Sequence, residues 1–340
     1  MNNNSVLHKL KRYVLKKLHI VSIEEKLKIQ ANQNRELQDQ IHELQNQIRE
    51  LQIALVGETS DQYKEETLYI QKNGLTVFPY QKVKEMPPVE AATDEALQLP
   101  YVIHKGKRLY FPHSYSLEEC LRMYKSYISE ECLLGGKYRK KQPHQYLTET
   151  FTIEEGDVLV DVGCAEALLS LDNIEKVSKV YLFEFNPMWI PALNATFKDY
   201  MHKVVIINKY VSDKDTDTTI TLKTALRNEH GKQLFIKMDI EGAEVEVLNG
   251  SRDYLSNTSN IKIACCTYHK QHDEEVIPQI LSELGYHYEF SDGYMFFFLD
   301  GNIQYPYFRH GLVRAYKISD NRRTDEKQLY AERILKDELE

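Results

Sequence analysis

Acidic and glycine residues at the ends of apolar segments predict a binding site for a small cationic molecule. The first group is Asp161-Val-Gly163-Cys164, which follows an apolar run at 158–160. Its carboxylate can accept hydrogen bonds from an ammonium group, and its glycine lets a ligand approach the backbone. A dinucleotide would instead need the spacing G-x-G-x-x-G and a helix N-terminus for its phosphates. The group therefore favours a cation without phosphates, although a plain strand-to-loop turn can have the same residues.

A second acid, Glu184, ends the next apolar run and lies 23 residues after Asp161. An acid about 20 residues beyond a glycine turn is where a ribose diol is held. The alternative is a carboxylate that caps the following helix, but Asn186 already supplies that cap. After the third run, Ser212 and Asp213 either meet an adenine amine or form an ordinary turn.

The residues best suited to catalysis follow the fourth and fifth apolar runs. Strand alternation places Lys237, Asp239 and Glu241 on one side, unless the strand ends at Asp239, as the following helix suggests. Three charges on a short apolar strand are costly to bury without a purpose. A structural salt bridge is the competing explanation. We predict His269 or Asp239 as the general base, with Glu241 orienting the acceptor. The alternative is a divalent metal held by Asp239, Glu241 and a neighbour, since carboxylates suit a hard cation. We predict no metal, because no third carboxylate is clearly placed.

Short β-branched and aromatic runs alternate with helical segments after Gly156, which predicts an α/β fold with a parallel sheet. The last two strands are separated only by Ser291-Asp292-Gly293, so we expect them to form an antiparallel hairpin at the sheet edge. The predicted strands are Val158–Val162, Val180–Phe185, Val204–Asn208, Thr218–Leu222, Leu234–Asp239, Ile261–Tyr268, His287–Phe290 and Tyr294–Leu299. The predicted helices are Pro187–Tyr200, Gly242–Leu255 and Glu274–Leu284.

The segment Ile23–Leu55 contains neither Pro nor Gly, and its apolar residues step alternately by four and three, the period of a coiled coil. Ile at a with Leu at d leans towards a parallel dimer, and Asn34 at an a position would fix the register. The alternative is an amphipathic helix packed on its own domain. The a positions are Leu27, Asn34, Ile41, Ile48 and Leu55, and the d positions are Ile23, Gln30, Leu37, Leu44 and Leu51.

We divide the chain into five parts by their texture. These are a basic start and coiled coil (1–56), a linker (57–100), an accessory or cap segment (101–152), a catalytic domain (153–318) and a tail (319–340). Interleaved Lys, Arg and apolar residues at the start either lie on an anionic membrane surface or form the solvated beginning of the coil. We expect one short strand at Leu75–Phe78 in the proline-punctuated linker and a helix at Leu117–Ser129 in the cap segment.

Bulk composition narrows the range of partners. The chain has 43 Lys and Arg against 51 Asp and Glu, a net charge of -8, so it has no general attraction to nucleic acid. Its five cysteines are odd in number and lack C-x-x-C spacing, which indicates reduced thiols. No apolar run approaches the roughly 20 residues of a membrane-spanning helix. We expect a cytoplasmic protein, located at the inner membrane face if the basic start binds lipid.

Between about His144 and Gly301 the chain resembles the FkbM-type methyltransferases. The strongest match is Ile236-Lys-Met-Asp239-Ile-Glu241-Gly242-Ala-Glu244, and the weaker ones are His144-Gln145-Tyr146-Leu-Thr, Asp161-Val-Gly163, Phe183-Glu184, Trp189-Ile…Ala192-Leu and Val211-Ser-Asp213. The resemblance implies a class I, Rossmann-like sheet, S-adenosylmethionine as methyl donor, and O-methylation of a hydroxyl on a sugar or secondary metabolite. The cofactor-binding residues it implies are Tyr146, Asp161, Gly163, Cys164, Glu184, Asn186, Ser212, Asp213 and Asp239.

One position departs from the family pattern. The glycine-rich turn of the family usually ends in glycine where this chain has Ala167, and alanine resists positive φ. Two hypotheses follow. The motifs and the resemblance favour an O-methyltransferase that acts on a sugar hydroxyl of a cell-surface glycan or glycolipid precursor and forms a homodimer through its coil. Ala167 and the long coil favour a degenerate methyltransferase-like domain that serves as a coiled-coil assembly or docking protein.

Overall fold

The computed structural model describes residues 9–14, 16–17, 27–28, 30–45, 61–297 and 307–317. The chain divides into two compact units, Met1–Gln71 and Lys72–Glu340. In the first unit, residues 30–45 are helical, and the a and d residues Leu37, Ile41 and Leu44 are each more than half exposed. The rest of the predicted coil, apart from residues 27–28, lies outside the described residues. No helix among them combines the length and apolar character needed to cross a bilayer.

Fourteen strands and eight α-helices occur between residues 61 and 317 of the described part of the chain. The strands are β1 (Ala91–Asp94), β2 (Leu99–His104), β3 (Lys107–Tyr110), β4 (Val158–Val162), β5 (Lys179–Phe183), β6 (Val204–Ile207), β7 (Tyr210–Val211), β8 (Thr219–Ile220), β9 (Leu234–Met238), β10 (Ile261–Cys266), β11 (His287–Phe290), β12 (Tyr294–Phe296), β13 (Phe308–His310) and β14 (Leu312–Tyr316). The α-helices after residue 60 are α1 (Lys64–Asn73), α2 (Leu117–Glu131), α3 (Leu168–Asp172), α4 (Ile190–Thr196), α5 (Leu222–Ala225), α6 (Glu244–Gly250), α7 (Arg252–Asn257) and α8 (Asp273–Glu283).

Seven strands form the main sheet, in the order β11-β14-β10-β9-β4-β5-β6. The five neighbouring strands β10, β9, β4, β5 and β6 are parallel to one another, and β14 is antiparallel to both of its neighbours. This mixed sheet agrees with the predicted class I methyltransferase arrangement. Since ligands of open α/β sheets bind at the carboxyl ends of the strands, the residues after β4, β5, β9 and β10 are placed to form a site.

The central strands are apolar on both faces because helices cover both faces. Every residue of β4 is buried. Its residue Leu159 packs into the core that includes residues of α2, α3 and α4, whereas Val158 and Val160 pack into the core formed with α5 to α8. Such continuous apolar runs are typical of parallel strands buried on two sides.

The predicted hairpin between the last two sequence-assigned strands is wrong. β11 pairs with β14 in the main sheet, and β12 pairs with β13 in a separate ribbon. The position between β10 and β11 needs a strand that is buried on both faces, and β14 is buried at four of its five residues. The sequence reading assigned no strand there, because Arg314 interrupts the apolar pattern.

The segment predicted to be a linker contains regular structure. α1 ends at Asn73, the expected strand at Leu75–Phe78 is not formed, and β1 and β2 form an antiparallel sheet with β3. The helix of the cap segment is confirmed as α2, which begins at a capping box made by Ser116 and Glu119. This box satisfies two backbone donors at the helix start. The predicted helix Gly242–Leu255 is divided into α6 and α7 at Ser251.

Candidate active site

The close approach of the ends of β4 and β9 explains why position 163 is glycine. The backbone N–H of Asp239 donates to the carbonyl of Val162 at 3.0 Å, which brings the two strand ends together. Gly163 has φ +74°, and a Cβ at this position would lie 1.9 Å from the carbonyl oxygen of Asp239. The backbone of Asp239 therefore leaves no room for a side chain at position 163, and only glycine fits there.

Asp161 of β4 and Lys237 of β9 form a buried pair on these two strands. Lys237 Nζ lies 3.2 Å from Asp161 Oδ1 and donates to the carbonyl of Gly163 at 2.6 Å. Ser170 donates its hydroxyl to Asp161 Oδ2 at 2.7 Å. Burial opposes the charge of Lys237, but Asp161 and Asp239 raise the pKa of Lys237 above its usual range. The competing salt-bridge explanation for Lys237 therefore has a geometric basis, with Asp161 as its partner.

Glu184 lies at the carboxyl end of β5 and orders the loop after Gly163. Its carboxylate accepts the backbone N–H of Ala165 at 2.9 Å and that of Asn186 at 2.7 Å. Asn186 in turn accepts the N–H of Met188 at 3.1 Å. Burial raises the pKa of Glu184, and the two backbone donors oppose that rise. Each oxygen keeps a lone pair that can accept a ribose hydroxyl.

The residues around Gly163 fit S-adenosylmethionine. Gly163 is partly exposed and has no side chain, Asp161 Oδ1 is buried with the Lys237 ammonium 3.2 Å away, and Glu184 presents its carboxylate one strand away. These groups are acceptors for an ammonium and a ribose diol, and none of them is a phosphate-binding donor. Asp161, Gly163 and Glu184 would therefore hold the cofactor.

Asp239 is the centre of a polar network at the ends of β9 and β10. Tyr146 donates its hydroxyl to Asp239 Oδ2 at 2.9 Å, and Tyr268 donates to Oδ1 at 3.2 Å. His269 Nε2 lies 3.3 Å from Oδ1. Burial would raise the pKa of Asp239, but Lys237, His144 and His269 lower it to about 2. Asp239 is therefore ionised at neutral pH and aligned by two phenols.

His269 lies between two carboxylates. Its Nδ1 is 2.8 Å from Glu244 Oε1, on the opposite side of the ring from Asp239. Glu244 is fully buried and also accepts the backbone N–H of Ile240 at 3.0 Å. Burial opposes protonation of His269, but Glu244 and Asp239 raise its pKa above the ordinary value. His269 must lose that proton before it can act as a base.

His144 joins this site although the sequence reading gave it no role. Its Nε2 lies 3.1 Å from the Tyr146 hydroxyl and 3.7 Å from Asp239 Oδ2. Burial lowers the pKa of His144, so its ring is neutral at pH 7. The signal available in the sequence was the His144-Gln145-Tyr146 match. Glu244 lies in the strongest match, which begins at Ile236, and Tyr268 directly precedes His269, but neither was predicted to belong to the site.

Several predicted site residues lie apart from this network. The side chain of Glu241 is 92% exposed, with Oε2 3.7 Å from His269 Nε2. The Ser212 hydroxyl donates to Glu246 of α6 at 2.6 Å, and Asp213 lies against Gly250 at the end of that helix. Cys164, by contrast, is buried next to Gly163. The structure thus brings together Tyr146, Asp161, Gly163, Cys164, Glu184, Asn186, Asp239 and His269.

Two groups of metal-ligand type occur in the described part of the chain, and both contain Asp239. One is His144, Asp239 and Cys266, and the other is Asp239, Glu244 and His269. In the first, the Tyr146 hydroxyl already lies 3.1 Å from His144, 2.9 Å from Asp239 and 3.7 Å from Cys266. In the second, the His269 ring separates the two carboxylates. In both groups the contacts present are hydrogen bonds and ion pairs among the side chains themselves.

Comparison with known proteins agrees with the topology. Residues 193–288 match the family model described as the methyltransferase FkbM domain, which confirms the predicted resemblance for this segment. No curated protein matches the chain. The family match and the mixed sheet together support an S-adenosylmethionine-dependent methyltransferase, and S-adenosylmethionine is the cofactor that this class implies.

Similar solved structures are remote. Precorrin-6y C5,15-methyltransferase from Geobacter metallireducens GS-15 is 14% identical, with a TM-score of 0.34, over 49% of this chain and 82% of its own. Precorrin 8w decarboxylase from Methanobacterium thermoautotrophicum is 16% identical, with a TM-score of 0.34, over 49% and 83%. The METTL16 methyltransferase domain is 14% identical, with a TM-score of 0.35, over 63% and 75%. Likenesses this weak carry no argument about substrate.

Proposed function

We propose that this chain is an S-adenosylmethionine-dependent O-methyltransferase whose acceptor is a sugar hydroxyl of a cell-surface glycan or glycolipid precursor. The observation that carries the proposal is the ionised carboxylate of Asp239, which Tyr146 and Tyr268 hold at the end of β9, next to the end of β4 where Gly163 lies. A carboxylate in this place can orient a hydroxyl towards a methyl group bound at Gly163. Such positioning supplies much of the acceleration in a simple displacement.

The bound cofactor supplies an electrophilic methyl group. Asp161, Gly163 and Glu184 would hold that cofactor, and the acceptor hydroxyl would have to be oriented towards its methyl group and lose its proton to a base. Asp239 is a weak base because its pKa is about 2, so its role is to orient the hydroxyl. His269, 3.3 Å from Asp239, is the base, and its raised pKa means that activity should increase as the pH rises past that value.

Two features support an acceptor made at a membrane, and both come from the sequence. They are the resemblance to a family that often methylates sugars and the interleaved basic and apolar residues ahead of the coil. The acceptor assignment is tested with methyl-labelled S-adenosylmethionine and an extract of lipid-linked glycans. A methyl ether survives alkaline hydrolysis, whereas a methyl ester does not. Label that is lost in alkali would contradict O-methylation of a hydroxyl.

Calorimetric titration with S-adenosylhomocysteine tests the cofactor site. We expect micromolar binding to the full chain and a loss of at least about tenfold in Glu184→Ala, because the variant removes the acceptor of ribose hydroxyls. Glu154→Ala, an exposed acid elsewhere, is the matched control and should bind as the parent chain does. The proposal fails if pure folded protein does not bind, or if Glu184→Ala binds equally well.

The alternative is a degenerate domain that acts as a docking protein. Ala167 favours it, because this residue has φ +59°, a conformation that costs a residue with a Cβ roughly 1–2 kcal/mol. The two hypotheses differ in the cell. A docking protein keeps its cellular role in Asp239→Asn and His269→Ala and loses it when the coil is broken, whereas an enzyme loses its role in the first two variants.

A further inference from the structure

The carboxylate of Glu244 is fixed in place inside the protein. Glu244 is the first residue of α6, and its side chain is fully buried. Its Oε1 accepts the backbone N–H of Ile240 at 3.0 Å, which ties the carboxylate to the turn after β9. The same oxygen lies 2.8 Å from His269 Nδ1, and this histidine is the ion-pair partner of Glu244 among the described residues. One nitrogen of the imidazole therefore faces a buried negative charge.

The other ring nitrogen of His269 faces the acceptor side of the site. Nε2 lies 3.3 Å from Asp239 Oδ1 and 3.7 Å from Glu241 Oε2. The side chains of these two acids are 21% and 92% exposed, whereas that of Glu244 is 0% exposed. An acceptor hydroxyl that approaches Asp239 from solvent therefore meets Nε2 and not Nδ1.

The neutral imidazole carries one ring proton, and the carboxylates on its two sides compete for it. Glu244 Oε1 is the closer oxygen, and its burial leaves its charge weakly screened. The charge of Asp239 is offset by Lys237 and by the hydroxyls of Tyr146 and Tyr268. A lone pair on Nδ1 would face a buried carboxylate oxygen at 2.8 Å, which is costly. The arrangement therefore favours the proton on Nδ1.

We propose that Glu244 is a positioning residue for the base: it keeps the proton of neutral His269 on Nδ1, so that the Nε2 lone pair faces the acceptor hydroxyl. The inference rests on the proposed function. The acceptor O–H bond breaks, its electron pair stays on oxygen, and the proton forms a bond to Nε2. The resulting imidazolium lies between Glu244 and Asp239, which stabilise its charge until Nε2 returns the proton to solvent.

The position of the ring proton is measured by NMR on the full chain, with histidine labelled with a heavy nitrogen isotope. Long-range proton–nitrogen correlations show which ring nitrogen carries hydrogen once the ring is neutral. The chain has 12 histidines, and the signals of His269 are those missing from His269→Gln. We expect the hydrogen on Nδ1. A neutral His269 with its hydrogen on Nε2 would overturn the inference.

Glu244→Met keeps the length of the side chain and removes its charge and its acceptors. Asp239 Oδ1, 3.3 Å from Nε2, is then the nearest carboxylate oxygen, so we expect the hydrogen to move to Nε2. Methyl transfer to the glycan extract at saturating S-adenosylmethionine should slow about 100-fold, as when a general base is lost. The KM for S-adenosylmethionine should stay within about twofold. Hydrogen that stays on Nδ1, or a parent-like rate, would overturn the inference.

Glu244→Gln keeps the shape and one oxygen acceptor and removes the charge, so the hydrogen should stay on Nδ1 and the rate within about tenfold of the parent. Burial lowers the pKa of His269, but Glu244 and Asp239 raise it above the ordinary value. Loss of one of these charges lowers that pKa, so activity should begin to rise at a lower pH. The titratable groups that face the ring are Asp239, Glu241, Glu244, His144, Tyr268 and Asp273.

A pH midpoint of Glu244→Gln that is unchanged or higher would overturn the inference, and this variant carries the test if Glu244→Met does not fold. Glu275→Met is the matched control. Glu275 Oε2 also lies near a histidine, 3.9 Å from His272 Nδ1, but these two side chains are 75% and 71% exposed. The control should keep the parent values for the proton position of His269, the rate and the pH midpoint.

Failure of the inference is distinct from failure of the proposed function. A parent chain that neither binds S-adenosylhomocysteine nor transfers a methyl group contradicts the proposed function itself. A parent chain that transfers the methyl group with the hydrogen of neutral His269 on Nε2 contradicts only the role of Glu244.

Discussion

The protonation state of His269 is set by the carboxylates on either side of its ring. A histidine whose pKa is raised on folding contributes stability that is complete below about pH 6.5 and is lost as the pH rises through the folded pKa. His269→Gln should therefore lower the free energy of unfolding by about 1–3 kcal/mol near pH 6, since it removes the positive charge between the Glu244 and Asp239 carboxylates, and by less near pH 9.

Urea unfolding at the two pH values measures this difference. His113→Gln is the matched control, because His113 is exposed and should give the same small effect at both. A His269→Gln effect that does not change between the two pH values would show that His269 is not stabilised as the cation, and it would also remove the expected rise of activity with pH.

At the scale of elements, the close approach of the ends of β4 and β9 controls the site. Gly163→Ala would place a methyl group 1.9 Å from the Asp239 carbonyl, so the two strand ends must separate. We expect a loss of at least about 3 kcal/mol in the free energy of unfolding, together with loss of S-adenosylhomocysteine binding. Urea unfolding and calorimetry check both.

Gly156→Ala separates the crowding from the backbone conformation. Gly156 also has positive φ, at +85°, but no atom lies within 4 Å of a Cβ built there. It should lose only about 1 kcal/mol. Equal losses in the two variants would mean that backbone strain, and not the approach of Asp239, makes glycine necessary at position 163.

The sequence was informative where chemistry coincides with strand ends. Asp161, Glu184 and Asp239 could be predicted to meet, because parallel strands place their carboxyl ends at one edge. His144 could not, because it belongs to a loop that tertiary packing brings over that edge from outside the sheet. β14 was missed for a related reason, since Arg314 is buried by hydrogen bonds to the carbonyls of Gln145 and Tyr146, which no local pattern shows.

For the whole molecule, the heptad pattern predicts self-association through the coil. The exposed Leu37, Ile41 and Leu44 occupy a and d positions of the heptads, where a second copy would cover them. We expect the full chain to sediment as a dimer, and Leu37→Lys combined with Leu44→Lys to sediment as a monomer with unchanged S-adenosylhomocysteine affinity. Gln38→Lys, outside the seam, is the control. A monomeric parent chain would contradict the prediction.

The position of β14 has a consequence for biosynthesis. β11 is made before β14, yet its only neighbour in the main sheet is β14, so β11 cannot join the sheet until the ribosome has released residue 316. Until then the edge of β10 is unpaired, and Arg314 is not yet present to fix the backbone of Tyr146. A nascent chain that ends before Leu312 therefore exposes an apolar strand edge that can pair with other chains, and it lacks a finished active site.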